Sequence, residues 1–310
     1  QIRDQENRLM VPSALPAGAQ VKYLVDAEGL VRRVWILTPA EAVPLLVTLL
    51  VLEMGIVVGI TENGKRRYIW HGTAGPGRAP LGAHTLFEIG SITKTFNALL
   101  LADAVVRGDV RLDTPVADLL EGRAVPAHAS GPITLELLAT HRSGLPRLPT
   151  NLQPATVNDP YVDYDTTRLY GFLRSYTLPR APGTMAEYSN LGAGLLGHAL
   201  VRRSGAASWT AMVQDRILGP LRMRETFVSV PPGERARMAA GHNVAMDTVP
   251  LWNFDALAGA GALRSSAADM LTYLEAQLSP GSTSLGRAIA VSQLPRADFL
   301  GGTRIALGWL

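Results

Sequence analysis

The sequence predicts an α+β protein: an antiparallel β-sheet flanked by helices, with a further helical region. Three observations point there. Hairpin-like strands come first, long helical patterns follow, and an apolar strand-like run closes the chain. That order is the mark of an α+β arrangement rather than of alternating βαβ units. The 310 residues carry 47% hydrophobic and 18% charged side chains, too apolar a mixture for a disordered chain.

The elements follow in order. Val21 to Leu37 reads as a hairpin turning at Ala27-Glu28-Gly29. It lies in a segment, 1–42, expected to be an N-terminal extension or the remnant of an upstream segment, ahead of a main domain over 43–310. Pro44 opens a predicted buried helix over Leu45–Glu53, since proline suits a first helical turn. Strands over Ile56–Ile60 and Arg66–His71 flank Asn63-Gly64, a pair that tolerates the positive φ of a tight hairpin. Helices are expected over Ser91–Arg107 and Leu191–Arg203. Between them a proline-rich stretch (Pro146, Pro149, Pro154, Pro160, Pro179, Pro182) leaves room for short helices at 133–140 and 166–175. Ser266 with Asp269 three residues on is a capping-box pattern for a helix over 266–278. Ile305 to Leu310 reads as a final strand.

Composition excludes several function classes. The absence of cysteine removes disulfides, thiolate metal sites and cysteine nucleophiles. A net charge of +3 with no long basic run argues against nucleic acid as a partner. Glu53 splits the apolar stretch 42–60 into runs too short to span a bilayer, so membrane contact is not expected. The six histidines form no metal-binding spacing, and no metal or cofactor is expected. Gly59 to Lys65 imitates a phosphate-binding loop, but Arg66 stands where a magnesium-binding Ser or Thr belongs. Gly192-Ala193-Gly194-Leu195-Leu196-Gly197 imitates a dinucleotide fingerprint, yet no strand precedes it, and small residues for close helix packing explain it better.

The basic residues are biased: only Lys22, Lys65 and Lys94 are lysines, against 26 arginines. A lysine retained in such a chain is a candidate for what arginine cannot do, which is to lose a proton. Lys94 follows Ser91 by three residues, which puts both on one helix face. A desolvated lysine can serve as the base that makes a serine nucleophilic. Tyr188-Ser189-Asn190 precedes the second long helix. Tyr188 can act as a base if a neighbouring cation lowers its pKa, or can simply pack beneath the helix start. Asn190 supplies an amide donor toward a substrate carbonyl.

These residues lie in longer stretches that resemble a known family. The stretches are Thr85 to Phe96, Gly108 to Val116, Leu137 to Pro146, Tyr188 to Gly192, Ile217 to Met223 and Ala258 to Ser266. Over about five sixths of its length the chain resembles the serine β-lactamase and penicillin-binding protein superfamily. Its class C β-lactamase-like branch, with D-alanyl-D-alanine peptidases and family VIII carboxylesterases, is the most similar. The resemblance implies a β-lactamase/transpeptidase-like fold and an acyl-enzyme on Ser91. Lys94 and Tyr188 would exchange the proton, Asn190 would hold the substrate amide, and the Ser91 N–H would form half of an oxyanion hole. His141 falls in a family turn and is expected to be structural. The family's third motif, Lys-Thr-Gly or a histidine equivalent, has no match after Asn190, so the resemblance implies C-terminal strands beyond Leu310. It also implies a periplasmic or secreted bacterial location and a small-molecule or peptidoglycan-like acyl substrate. β-lactam, peptide and ester all remain open, as does the oligomeric state. A catalytically silent penicillin-binding or sensor domain on the same fold is the alternative.

Overall fold

The computed structural model describes residues 20–25, 31–37, 50–52, 55–243 and 247–309. The expected N-terminal hairpin is present: β1 (Gln20–Val25) pairs antiparallel with β2 (Val31–Leu37). Its turn lies outside the described residues. The main sheet is antiparallel, in the order β3 (Leu50–Leu52), β4 (Gly55–Glu62), β5 (Lys65–Gly72). Asn63 and Gly64 turn between β4 and β5 with φ of 51° and 73°, so this stretch is a hairpin and not a phosphate loop.

One helix is corrected to a strand. Leu50, Val51 and Leu52 pair with Val57, Ile56 and Gly55, where a helix over Leu45–Glu53 was expected. A short apolar run fits a buried helix or a buried strand equally, and here β4 supplies partners for its backbone groups. The rest of that helix lies outside the described residues.

Beyond the sheet come β6 (Leu86–Glu88), a 3-10 turn at Gly90–Ile92 and α1 (Thr93–Val106). Then follow α2 (Leu135–Ala139), α3 (Thr166–Ser175), α4 (Asn190–Ser204) and α5 (Trp209–Val213). A π turn at Gln214–Leu218 leads from α5 into α6 (Gly219–Leu221). A small pair, β7 (Gly241–His242) with β8 (Thr248–Val249), precedes α7 (Ala258–Gly261) and β9 (Arg264–Ser266), which pairs with β6. The chain continues through α8 (Ala267–Leu278), α9 (Ser284–Ser292), β10 (Ala297–Asp298) and β11 (Arg304–Ile305).

Helix starts follow side-chain chemistry. Thr134, Asp165, Ser189, Ser208, Ser266 and Thr283 each accept a backbone N–H from the first turn of the helix they precede. The capping box at Ser266 is only half made. Ser266 Oγ accepts from Asp269 N at 3.1 Å, while Asp269 Oδ2 accepts from Glu225 N and Thr226 Oγ1 instead.

Helix α1 is the hub of the core. Its residues from Thr93 to Asp103 are all buried, as expected of a helix surrounded by others. Glycines let its neighbours approach. A Cβ on Gly194 would lie 2.4 Å from Leu257 Cδ2, and one on Gly197 would lie 2.9 Å from Asn97 Oδ1. The fingerprint-like Gly192–Gly197 stretch is therefore helix packing. On the other side α8 lies against β4, where a Cβ on Gly59 would meet Leu271 Cγ at 3.0 Å.

The expected closing strand over 305–310 shrinks to Arg304-Ile305, paired with β10. After it the backbone turns, with Gly308 at a φ of 72°. Leu307 N donates to Ser292 O and Gly308 N to Ala139 O, which ties this segment to α9 and α2 rather than to a sheet. Among the described residues no helix is long and apolar enough to cross a membrane.

Candidate active site

The 3-10 turn before α1 presents Ser91 at the surface, while Lys94, one turn on, is only 6% exposed. Lys94 Nζ stands 3.1 Å from Ser91 Oγ and donates to the carbonyl of Ala260 in α7 at 2.6 Å. Tyr188 OH donates to Ser91 Oγ at 2.5 Å from the other side. Two distant segments thus meet on one hydroxyl, and a third, α7, holds the amine beside it. The residues next to β6 and β9 fix the turn, since Ile89 N donates to Leu263 O and Leu263 N donates to Thr93 Oγ1.

Burial sets the protonation of this group. It brings Lys94 from 10.5 down to about 7, with the positive charge of Arg147 adding to the effect. Burial pushes Tyr188 up, and its hydrogen bond with Ser91 and the charge of Arg147 only partly offset that. The charges beside Tyr188 thus do not outweigh burial, so its hydroxyl stands above the ordinary tyrosine range. At neutral pH the trio holds a protonated tyrosine and a lysine poised to be neutral. With Lys94 neutral the hydrogen bonds can run in one direction, from Tyr188 to Ser91 to Lys94 to the Ala260 carbonyl.

Asn190 makes no hydrogen bond to the trio. Its Nδ2 donates to Tyr161 OH at 3.1 Å, and its Oδ1 is buried without a partner. The free group is an acceptor suited to a substrate N–H, not the donor that sequence reasoning favoured. Tyr161 stacks on Phe254 with ring centroids 4.5 Å apart, and Trp252 lies 5.4 Å away. Trp252 N donates to Glu88 Oε1, and buried Arg264 bonds both Glu88 and the Trp252 carbonyl.

His141 is structural, as expected, and it shapes the site. Its φ is 57°, its Nδ1 accepts from Ser189 N at 3.1 Å, and its carbonyl accepts from Glu187 N at 2.7 Å. Its ring lies 4.6 Å from that of Tyr188, so it holds the Tyr188–Asn190 segment at both backbone and ring. Burial, with the charge of Lys94, lowers it from 6.5 to about 4, so it stays neutral and accepting.

Sequence reasoning missed Ala260, Arg147 and Tyr161. Ala260 acts through a carbonyl, which no side chain reveals. Arg147 directly follows the Leu137 to Pro146 stretch that was singled out, and that adjacency was the available signal. Of the other lysines, Lys65 sits exposed in the β4–β5 turn. Among the described residues no group of three His, Cys, Asp or Glu is placed to hold a metal ion.

A family model described as Beta-lactamase matches residues 53–310. A β-lactamase of Pseudomonas fluorescens is 30% identical over 258 residues, covering 82% of this chain and 68% of its own length. The D-alanyl-D-alanine-carboxypeptidase/endopeptidase AmpH of Escherichia coli (strain K12) is 30% identical over 231 residues, covering 73% of this chain. The matched part spans only 57% of AmpH. The crystal structure of a class C β-lactamase from Rhodobacter sphaeroides superposes with a TM-score of 0.70 at 33% identity, covering 82% of this chain and 70% of that one.

Proposed function

The chain belongs to the beta-lactamase family, and from that membership we propose that it is a serine hydrolase acylated at Ser91. The observation that carries this is the hydroxyl of Ser91 held between Lys94 Nζ at 3.1 Å and Tyr188 OH at 2.5 Å. In the proposed reaction Ser91 Oγ bonds to the acyl carbon and its proton passes to neutral Lys94. The bond from the acyl carbon to the leaving nitrogen or oxygen breaks. Tyr188, kept protonated by burial, gives its proton to that atom and regains one from Lys94. Water then adds to the acyl carbon as Lys94 takes its proton, and Lys94 passes that proton to Ser91 Oγ as the bond from Oγ to the acyl carbon breaks. Asn190 Oδ1 would accept from the substrate's amide N–H.

The relatives, β-lactamases and a D-alanyl-D-alanine carboxypeptidase, support an acyl substrate that is a β-lactam, a peptidoglycan-like peptide or a small ester. A periplasmic or secreted location accompanies this reading, as is typical of the family. The test is side-by-side hydrolysis of nitrocefin and p-nitrophenyl butyrate by the full-length protein and its Ser91→Ala variant. Turnover that vanishes in the variant is expected. A protein that turns over neither substrate and takes up no fluorescent penicillin would be a silent domain instead.

A further inference from the structure

Three basic groups surround the ring of Tyr188. Lys94 Nζ lies 4.8 Å and the Arg147 guanidinium 5.1 Å from its centroid, and the His141 ring lies 4.6 Å away. Burial lowers two of the three, Lys94 to about 7 and His141 to about 4, so at neutral pH His141 is neutral and Lys94 only about half charged. A guanidinium keeps its proton in proteins. Arg147 is exposed, and among the described residues no carboxylate pairs with it. Its charge therefore stands unneutralised against the ring. Its backbone is tied to the same segment, since its carbonyl accepts from Asn190 N at 3.0 Å and Leu191 N at 3.4 Å.

We propose that Arg147 is a positioning residue for acylation: its carbonyl anchors the start of α4, and its guanidinium sets a fixed positive charge beside the Tyr188 ring, on which Lys94 also lies. This rests on reading Ser91 as the nucleophile and Lys94 as its base. A like charge nearby disfavours the ammonium, so more of Lys94 is a free amine at a given pH. The same charge favours any negative charge that forms on Ser91 or Tyr188 as the proton moves. Tyr161 and the elements packed against α1 carry the other titratable groups. Tyr161 is neutral, and burial pushes its hydroxyl up. On the elements packed against α1, the titratable or charged residues are His198, Arg202 and Arg203 of α4, Arg287 of α9, and Asp215 and Arg216 of the π turn; α5 and α7 carry none. Beside burial, it is the positive charge of Arg147 that lowers Lys94.

The experiment measures pre-steady-state acylation of the full-length protein from pH 5 to 9, using whichever of a fluorescent penicillin or a p-nitrophenyl ester labels the wild type. It compares wild type, Arg147→Gln and Arg147→Lys, at low and high salt. Arg147→Gln should move the acid limb up by about half a pH unit or more, a loss of about threefold or more at pH 6. Arg147→Lys keeps the charge and should return the limb toward wild type. High salt should move the wild-type limb upward as well, because an exposed charge is screened. An unmoved limb in Arg147→Gln, or a Lys variant shifted as far as the Gln variant, overturns the proposal. If Arg147→Gln fails to fold, a wild-type limb insensitive to salt overturns it. A wild type that takes no label at Ser91 overturns the nucleophile reading and this inference with it; a labelled Ser91 with an unmoved limb overturns this inference alone.

Discussion

Lys94 Nζ donates to the carbonyl oxygen of Ala260 at 2.6 Å across 166 residues of sequence. This contact aims the amine. A buried lysine could turn toward any nearby acceptor, but the short helix α7 offers it one carbonyl and leaves its remaining reach to Ser91. The amine is thereby oriented in the free protein, which is the preorganisation that the proposed base role requires.

Lys94→Arg should be nearly as damaging as Lys94→Ala. If Lys94 were only a cation, arginine would replace it, as arginine serves elsewhere in this chain. A proton-accepting group is different, because arginine does not give up its proton and its planar fork would push Ser91 and Tyr188 apart. Pre-steady-state acylation rates, with folding checked by circular dichroism, should fall at least about a hundredfold in both variants. A Lys94→Arg rate within a few-fold of wild type would make Lys94 a fixed charge.

Lys94 also carries a stability cost. Its folded pKa of about 7 lies below the ordinary 10.5, so the folded state binds fewer protons between those values and gains stability as pH rises through that window. Lys94→Met should therefore raise stability at pH 7 by about 1–3 kcal/mol while abolishing acylation. The gain should shrink toward pH 10. Urea titrations at pH 7 and pH 9.5 would measure both, and a destabilised Lys94→Met at pH 7 would contradict the desolvation account.

His141 predicts loss of stability on the acid side. Its folded pKa of about 4 lies below 6.5, so the unfolded chain binds the extra proton between those values. Stability from this group is complete above pH 6.5 and drains as pH falls toward 4, by at most about 3 kcal/mol. His141→Gln, which can still accept from Ser189 N–H, should flatten that part of the curve. Thermal midpoints from pH 4 to 7 would show it, and parallel curves for the two proteins would rule it out.

Gly194→Ala should destabilise the fold although alanine favours helices by about 1 kcal/mol. The added Cβ would lie 2.4 Å from Leu257 Cδ2 and 2.8 Å from Leu257 Cα, and the backbone atom cannot swing aside. A net loss of about 1–3 kcal/mol is expected by denaturant unfolding. Unchanged stability would mean that α4 can move away from α7 freely.

The parts of this structure that were legible in the sequence are those that local chemistry dictates. Asn63-Gly64 announces the β4–β5 hairpin, and Ser266 announces the start of α8. Ser91 and Lys94 share a face because of their spacing, and their helical turn could be read directly. Tyr188 could be found only as a motif, because 97 residues separate it from Ser91 and only tertiary packing joins them. Leu50–Leu52 was misread because an apolar run does not say whether a helix or a strand edge will satisfy its backbone. The direction of the Tyr188 shift could not be read, because it depends on burial, which spacing does not encode. Ala260 lay inside the Ala258 to Ser266 stretch, but the part its carbonyl plays could not be read from residue types.

The central claim is that Ser91 becomes covalently acylated, and peptide mass spectrometry after incubation with a mechanism-based acylating inhibitor tests it most directly. The added mass should lie on the peptide containing Ser91, with uptake rising with pH toward neutrality as Lys94 loses its proton. Label on another serine, such as Ser189, or uptake unchanged in Ser91→Ala, would contradict the account.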